Sequence, residues 1–356
     1  MAPDYYADGS MADDTGDGLT PATAKKFAAS ALALAVSSGD TVNLQCLSTY
    51  AEELAPSVAG VTMEAYSEVK GDLREMDTRV RIWPAILASN AAVTIGASSI
   101  TLRNLDVQHS VANKDGIDLG TSKMNLSIIN CRAQAPRRAI VSVSGNLLNI
   151  LGNIFEGAST SSSYYVAQLS IYTSRVIGNV IRHGSNGTHG LYVAGSNNNT
   201  VRRNRAYNNA GNGLVANSAT GLDLSENEVC DNGGAGVVLP DADLSSMMLE
   251  RNIVAYNAGG GVIPASGSTA RNLLARNNIV YGNTGVDFSP VYTLLWDSNS
   301  TAIDPYMDAT YAARLANNYR KAPSVKQLAV LRPDGIYTYP DLGAVQERVG
   351  IIVVED

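Results

Sequence analysis

The sequence predicts an all-β solenoid, a chain wound into stacked coils of about 25 residues each. Three observations support this fold class. Asparagine recurs at nearly fixed intervals, and short runs of alternating apolar and polar residues lie between these asparagines. Glycine, at 32 of 356 residues, supplies many of the turns. Short β runs at a fixed period are typical of solenoids whose strands stack into parallel sheets.

The repeat is marked by eight asparagines, each in the context apolar-x-x-Asn-x-apolar or close to it. Their spacings are 26, 23, 26, 25, 23, 25 and 26 residues. Neighbouring coils stack about 4.8 Å apart, so asparagines at the same position of each coil are expected to form side-chain ladders inside a turn. A ligand-binding role is the alternative. The eight residues are Asn104, Asn130, Asn153, Asn179, Asn204, Asn227, Asn252 and Asn278.

Both ends of a solenoid need cover, because the terminal coils expose unpaired strand edges. The segment from Pro21 to Val36 predicts an amphipathic helix with Phe27, Ala31 and Leu34 on one face. Proline suits the first turn of a helix, where its missing N–H leaves no bond unmade. We expect this helix to cap the N-terminal mouth.

The repeat stops near Pro290, which predicts one elongated domain with two caps. We divide the chain into an opening strand and capping helix over residues 1–45, stacked coils over 46–290 and an irregular C-terminal cap over 291–356.

Charge and hydropathy exclude several partners. The net charge of −7 argues against nucleic acid, because binding phosphates needs clustered Lys and Arg. The longest apolar run, Phe27 to Val36, has ten residues where a membrane span needs about 20. No basic and apolar leader precedes the structured part. Cys46, Cys131 and Cys230 are widely spaced and lack a CxxC motif, so we expect buried thiols rather than disulfides or a zinc site.

Particular motifs at both ends resemble a known group. Tyr5–Gly9, Asp17–Ala24 and Gly39–Val42 resemble the opening of the right-handed parallel β-helix proteins of the pectate-lyase-like superfamily. Ile303–Tyr306 and Asp341–Glu347 resemble their closing segment. The resemblance implies a single-stranded right-handed parallel β-helix. It leaves function open, because the superfamily contains lyases, hydrolases, epimerases, phage tailspikes and non-enzymatic surface proteins.

One position per coil forms a column on the long face of a β-helix. We align the coils on the Gly-apolar step that follows each asparagine, which gathers titratable residues on one patch. The patch yields the catalytic candidates His189, Tyr192, Arg138 and Tyr165 and the metal-ligand candidates Asp115 and Asp118.

These residue types suit elimination or epimerisation at a uronate. The reaction needs a cation for the carboxylate, a base for the C5 proton and an acid for the leaving oxygen. Arg138, or a Ca²⁺ held by the two aspartates, would neutralise the carboxylate. His189 would be the base and Tyr192 the acid. No cofactor is required, and Ca²⁺ is the one option. The alternative is a solenoid face that carries assorted polar residues.

Two segments faintly resemble motifs of polygalacturonase-type glycoside hydrolases, namely Asn113–Asp118 and Thr188–Leu191. Hydrolysis needs carboxylates that converge on the scissile bond. The sequence has Arg137–Ile140 where that family places its paired aspartates. A lyase or epimerase is therefore favoured over a hydrolase.

Two function classes remain. The first is a virion surface structural protein of a phage (head decoration, fibre or tailspike type) that binds glycan without cutting it. The alternative is a lyase or epimerase acting on a uronate-containing polysaccharide. The absent leader, the lone cysteines and the incomplete motifs favour the first, whereas the polar column favours the second.

Each class predicts its own partners and location. The virion protein would be made in the host cytoplasm, contact capsid or tail proteins and form a homotrimer or lattice contacts. The enzyme would act outside the cell on polysaccharide. Neither class involves nucleic acid or a membrane.

Overall fold

The computed structural model describes most of the solenoid and little of the C-terminal segment. The described residues are 2–46, 48–66, 80–82, 91–157, 164–195, 198–217, 220–241, 244–266, 271–294, 299, 301, 336–338 and 351–353. Short strands in this part of the chain stack into three parallel sheets.

The first sheet has twelve strands. They are β1 (Asp4–Ala7), β2 (Thr41–Gln45), β4 (Thr62–Tyr66), β7 (Thr101–Arg103), β10 (Ser127–Ile129), β13 (Asn149–Leu151), β16 (Arg175–Ile177), β19 (Thr200–Arg202), β22 (Asp223–Ser225), β25 (Leu244–Glu250), β28 (Arg271–Arg276) and β30 (Tyr292–Leu294).

The second sheet has ten strands. They are β3 (Thr49–Tyr50), β5 (Val80–Ile82), β8 (Leu105–Gln108), β11 (Arg132–Ala135), β14 (Ile154–Gly157), β17 (Val180–Arg182), β20 (Arg205–Tyr207), β23 (Glu228–Cys230), β26 (Ile253–Ala255) and β29 (Ile279–Tyr281).

The third sheet has eight strands. They are β6 (Ala91–Thr94), β9 (Asp115–Thr121), β12 (Arg138–Asn146), β15 (Tyr165–Tyr172), β18 (His189–Ala194), β21 (Leu214–Ala216), β24 (Ala235–Leu239) and β27 (Gly260–Pro264).

Each coil contributes one strand to each sheet in turn, and the next coil pairs with it in parallel. Thus β10, β11 and β12 follow one another along the chain, and β13 then returns to pair with β10. The predicted all-β, right-handed parallel β-helix is confirmed.

The core runs along the inside of the stack because inward positions of successive strands are apolar. In the first sheet, each inward residue pairs with its counterpart on the next coil, and all are buried. Burying a Leu, Ile or Val side chain contributes about 1.5–3 kcal/mol. This column comprises Leu102, Ile128, Ile150, Val176, Val201, Leu224 and Leu249.

A buried asparagine ladder occupies the turn between the first and second sheets. Asn153 donates from Nδ2 to Oδ1 of Asn179 on the next coil and to the carbonyl of Ile128 on the preceding coil, both at 2.9 Å. Its backbone N–H donates to the same Oδ1 at 2.9 Å. The pattern repeats through Asn153, Asn179, Asn204, Asn227, Asn252 and Asn278 and ends on Asn299.

The first two asparagines also bond to each other across coils, but they lie outside this ladder. Asn104 and Asn130 lie one residue earlier in the turn, with φ of 57° and 50°. They pair with each other, Asn130 Nδ2 donating to Asn104 Oδ1 at 2.7 Å. Cys131 takes the ladder position in that coil, and its backbone N–H donates to Asn153 Oδ1 at 2.8 Å.

A second ladder occupies the turn between the second and third sheets. Asn209 donates from Nδ2 to Asn232 Oδ1 at 3.0 Å, and Asn232 donates likewise to Asn257 at 2.9 Å. Asn257 continues to Asn283, which donates to Asp287 Oδ1 at 2.8 Å. The repeated asparagines thus stabilise turns, and the alternative of ligand binding finds no support in their contacts.

The capping helix is shorter than predicted. A 3-10 helix covers Pro21–Thr23, and the α-helix α1 covers Ala28–Leu34. Between them, Lys25 bridges to Ala7 of β1 as extended chain, so a continuous helix cannot begin at Pro21. Ala31 is buried as predicted, whereas Phe27 is 46% exposed.

The first coil is tied to this helix by Glu52. Its carboxylate accepts the N–H groups of Ala28 at 3.0 Å and Ala29 at 2.9 Å. A carboxylate at a helix N-terminus satisfies free N–H groups and complements the helix dipole. The parallel pairing of β1 with β2 means that the strand stack already includes residues before 46.

The predicted C-terminal cap lies almost wholly outside the described residues, including both closing motifs. Two strands there, β31 (Ile336–Thr338) and β32 (Ile351–Val353), form an antiparallel pair. The three cysteines are buried, as the sequence predicts. Within the described residues, no helix has the length and hydropathy to cross a membrane.

Candidate functional site

The column of titratable residues that is predicted by aligning the coils of this chain with one another lies on the outward face of the third sheet. Asp115 of β9 lies opposite Arg138 of β12, and Tyr165 of β15 lies opposite His189 of β18. Tyr192 lies opposite Gln168, three residues further along. The structure therefore brings the predicted catalytic residues onto one face.

Strand alternation explains why Gln168 points outward, since in β15 the core residues Ala167, Leu169 and Ile171 alternate with partly exposed ones. Tyr165 precedes a break in this alternation, because Val166 and Ala167 are both buried, and it is partly exposed at the start of the strand. Successive side chains of a strand point to opposite faces, and the apolar ones are drawn inward. The site is thus built on rigid strands that the core holds in place.

A buried carboxylate joins two arginines at one end of this face. Asp115 is 0% exposed. Arg138 donates to it from Nε at 2.9 Å and from Nη2 at 2.8 Å. Arg137 also binds it in a bidentate manner, with Nε at 2.8 Å from Oδ1 and Nη2 on Oδ2. Burial would raise the pKa of Asp115, but the hydrogen bonds from the two arginines outweigh burial and lower it.

This arrangement bears on the predicted calcium ligands. Both oxygens of Asp115 accept guanidinium N–H groups, so the carboxylate already has its counter-charges. Asp118 Oδ1 accepts the backbone N–H of Gly120 at 2.8 Å in a local turn. Calcium binding stays a prediction without a geometric basis here.

Three aromatic rings lie together next to the arginines. The rings of Tyr165 and His189 have centroids 5.0 Å apart at an angle of 34°. Those of Tyr165 and Tyr192 are 4.5 Å apart at 41°. The Tyr192 hydroxyl accepts from Asn217 Nδ2 at 2.8 Å. Burial, followed by the neighbouring Tyr192, raises the pKa of the Tyr165 hydroxyl, which is neutral at pH 7.

The contacts of His189 define its tautomer. Its Nδ1 accepts the backbone N–H of Asn212, on the next coil, at 2.8 Å. Burial lowers the pKa of His189, which favours the neutral ring. A neutral imidazole that accepts at Nδ1 carries its proton on Nε2. His189 is therefore arranged as a hydrogen-bond donor, which does not suit the predicted role of base.

Sequence reasoning missed three residues of this face. Arg137 binds Asp115, Gln168 accepts from Arg138 Nη1 at 3.0 Å, and Asn217 binds Tyr192. The arginine pair was visible as neighbours in the sequence, but its shared partner on the preceding coil was not. We call the set Arg137, Arg138, Tyr165, Gln168, His189 and Tyr192 the tyrosine–arginine patch.

Comparison with protein families assigns the chain. Residues 90–324 match the model of the family described as periplasmic copper-binding protein (NosD). The chain belongs to the NosD family. The match spans all of the tyrosine–arginine patch.

Solved structures similar to this NosD family member confirm the fold. The pectate lyase Pel9A aligns with a TM-score of 0.57 and 12% identity, covering 97% of this chain and 91% of that one. The Dettilon tailspike protein aligns with a TM-score of 0.50 and 13% identity, covering 84% and 68%. At such low identity these similarities show the parallel β-helix fold alone. A search of curated protein sequences finds no significant match.

The family description names copper, which prefers thiolate, thioether and imidazole ligands. The residues that the structure describes contain no group of three or more His, Cys, Asp or Glu side chains able to hold a metal ion. Cys131 sits at the start of the asparagine ladder, its Sγ donating to the carbonyl of Ile129 at 3.4 Å. Nδ1 of His189 is taken by a backbone N–H. In the described part of this NosD family member, His, Cys, Asp and Glu side chains therefore do not converge on a three-ligand copper site.

Proposed function

We propose that the chain binds a polysaccharide along the outward face of the third sheet, at the tyrosine–arginine patch. The observation that carries this proposal is the contiguous packing of three aromatic rings on adjacent strands, directly beside two arginines. Tyr165 contacts both His189 and Tyr192, so the rings form one surface rather than scattered side chains.

The chemistry of these rings suits a sugar. Tyrosine offers an apolar face that packs against the C–H groups of a pyranose ring and a hydroxyl that hydrogen-bonds at the edge. His189 adds an Nε2–H donor, and Gln168 adds an amide beside the rings. A mixture of flat apolar surface and fixed polar groups is what recognition of a sugar requires.

The spacing of the patch suits a chain rather than a single sugar. Strands β9, β12, β15 and β18 are neighbours in the third sheet and lie about 4.8 Å apart, so the patch extends along the solenoid axis. Because its side chains stand on core-packed strands, little conformational entropy is lost on binding. A linear polysaccharide parallel to the axis would contact several coils at once.

The proposal is restricted to binding. Elimination needs a base that can take up the C5 proton. In His189, Nε2 already carries a proton and Nδ1 accepts a hydrogen bond from the backbone N–H of Asn212, so neither nitrogen is placed to act as that base. Calcium has no part in the proposal, because Asp115 is engaged by two arginines. Lyase activity, a virion location, capsid or tail partners and a homotrimer stay predictions. Glycan binding is common to both function classes.

The test measures retardation of the purified protein in native gels containing polysaccharides, including polygalacturonate, alginate and neutral glucans. Tyr165→Ala should weaken binding of whichever polysaccharide retards the wild type by about tenfold, since stacking surface is lost. Tyr281→Ala, a partly exposed tyrosine on the second sheet, is the control and should bind normally. Equal binding by wild type and Tyr165→Ala would refute the proposal.

A further inference from the structure

We infer that Arg137 is the residue that selects acidic polysaccharides, by binding a sugar carboxylate with the edge of its guanidinium that Asp115 leaves open. The inference deepens the proposed function and rests on it. The sequence points instead to Arg138, and the two arginines differ in a way that only their contacts reveal.

Arg138 has its donors committed on both sides. It binds Asp115 through Nε and Nη2, and its Nη1 donates to Gln168 at 3.0 Å. A side chain held between a buried carboxylate and an amide on the next coil is a bridge between coils. To bind a carboxylate through both atoms of an edge, it would have to give up one of these bonds.

Arg137 is held on one side only. It binds Asp115 through Nε and Nη2, and among the described residues no hydrogen-bond partner is recorded for its Nη1. A guanidinium presents two edges for bidentate binding, Nε with Nη2 and Nη1 with Nη2. Asp115 occupies the first edge, which leaves the second for a carboxylate from outside. The side chain is 22% exposed, so this edge is within reach of solvent.

The surrounding charges favour an anion at this point. One buried carboxylate faces two guanidinium groups, so the trio of Asp115, Arg137 and Arg138 carries an excess positive charge in a protein of net charge −7. Lys114 occupies the same position as Arg137 on the preceding coil, where its carbonyl accepts the N–H of Arg137 at 3.0 Å. Asp118 is the opposing charge nearby, and its Oδ1 is bound to Gly120.

Position completes the inference. Arg137 immediately precedes Arg138, which lies opposite Asp115 of the preceding coil. On the following coil, Tyr165 occupies the position that Arg138 has in its own coil. A sugar stacked on Tyr165 would thus place a neighbouring residue of the same chain near Arg137, because coils repeat at about 4.8 Å and a sugar ring spans a similar length. The ligand class is therefore a polysaccharide with a carboxylate on its repeating unit.

The experiment compares two forms of one polymer, polygalacturonate and its fully methyl-esterified derivative, by titration calorimetry or gel retardation. The wild type should bind the acid form about tenfold more tightly than the ester, which corresponds to about 1.4 kcal/mol. Arg137→Gln should remove this preference while still binding the ester. Arg137→Lys, which keeps charge but not the planar fork, should retain a smaller part of it.

The control variant is Arg175→Gln, an exposed arginine at the start of β16 in the first sheet, which should behave as the wild type. Circular dichroism of Arg137→Gln checks that the fold persists, since Arg138 still pairs with Asp115. If Arg137→Gln keeps the preference, or if the wild type binds acid and ester equally, the inference is wrong while glycan binding stands. If the wild type binds no polysaccharide in the gel panel, the proposed function fails and the inference with it.

Discussion

The imidazole Nδ1 of His189 accepts a hydrogen bond of 2.8 Å from the backbone N–H of Asn212 on the next coil. This contact fixes the ring between two coils and directs its proton to Nε2. With its proton on Nε2, His189 can donate a hydrogen bond to a sugar but cannot abstract a proton through that nitrogen. The distinction matters because the same residue, in the same column, suggests a base when the sequence alone is considered.

The tautomer of His189 is directly measurable. Nitrogen-15 chemical shifts should show a neutral ring with its proton on Nε2 at pH 7. Because burial lowers its pKa, the ring should titrate below the ordinary value of about 6.5. A proton on Nδ1, or a midpoint above 6.5, would contradict the geometry described.

This lowered pKa also predicts a direction for stability. As the pH falls below about 6.5, the unfolded chain takes up the proton before the folded chain does, so the free energy of unfolding decreases. His109, whose pKa burial lowers too, should contribute in the same direction. His189→Gln should reduce the decrease in denaturant midpoint between pH 7 and pH 5.5, and an unchanged decrease would exclude this role.

Asp115→Asn should destabilise the protein strongly. The change leaves Arg137 and Arg138 half-buried without their counter-charge, and breaking a buried ion pair in this way costs about 3–5 kcal/mol. Asp118→Asn on the same strand is the matched control, and it should cost less than about 1 kcal/mol because its side chain makes a local turn bond. Urea unfolding measures both, and equal effects would contradict the described pairing.

Asn227→Gly and Asn104→Gly should differ although both residues mark the same sequence repeat. Replacing Asn227 removes its donation to Asn252 and Val201 and takes away the acceptor of the Asn204 backbone N–H and of one Nδ2 hydrogen, which should cost at least about 3 kcal/mol. Asn104 has φ of 57°, a conformation that glycine adopts readily, so its replacement should cost about 1 kcal/mol or less. Denaturant unfolding distinguishes them, and similar losses would refute the assignment of ladder positions.

Glu156 predicts an acid-sensitive contribution to stability. Burial would raise its pKa, but His183, Arg182 and Arg132 together lower it to about 2. A carboxylate whose pKa is lower in the folded than in the unfolded protein stabilises the fold at pH values above the unfolded pKa of about 4.5. This contribution to the free energy of unfolding, about 3 kcal/mol, is lost as the pH falls toward 2. Glu156→Gln should flatten the stability profile between pH 5 and pH 2. A profile as steep as that of the wild type would contradict it.

The repeat predicted the solenoid and the column correctly, because glycine followed by an apolar residue marks the same step in several coils and the regular period places the coils of Arg138 and Tyr165, which lack this glycine. Asn104 and Asn130 were misplaced by one residue for a physical reason. Asparagine suits both a buried ladder and a left-handed turn position, and these two positions are adjacent. The sequence signal is the same for both, so only the backbone separates them.

The helix and the site show where sequence information ends. Lys25 forms a parallel β-bridge with Ala7, which requires an extended backbone at Lys25. This contact between residues distant in sequence overrides the local helical pattern that begins at Pro21. Asp115 occupies the same edge of both guanidinium groups, and the two arginines differ in that Nη1 of Arg138 also donates to Gln168. Such contacts depend on side-chain rotamers across coils, which the spacing of residues does not specify.

Hydroxyl-radical footprinting of the tyrosines, with and without the polysaccharide that the gel panel identifies, tests the proposed binding face most directly. Bound polysaccharide should protect Tyr165 and Tyr192 from oxidation. Tyr256 and Tyr281, an edge-to-face pair outside the patch with ring centroids 6.0 Å apart, should react as before. Protection of Tyr256 and Tyr281 with no change at Tyr165 and Tyr192 would contradict it.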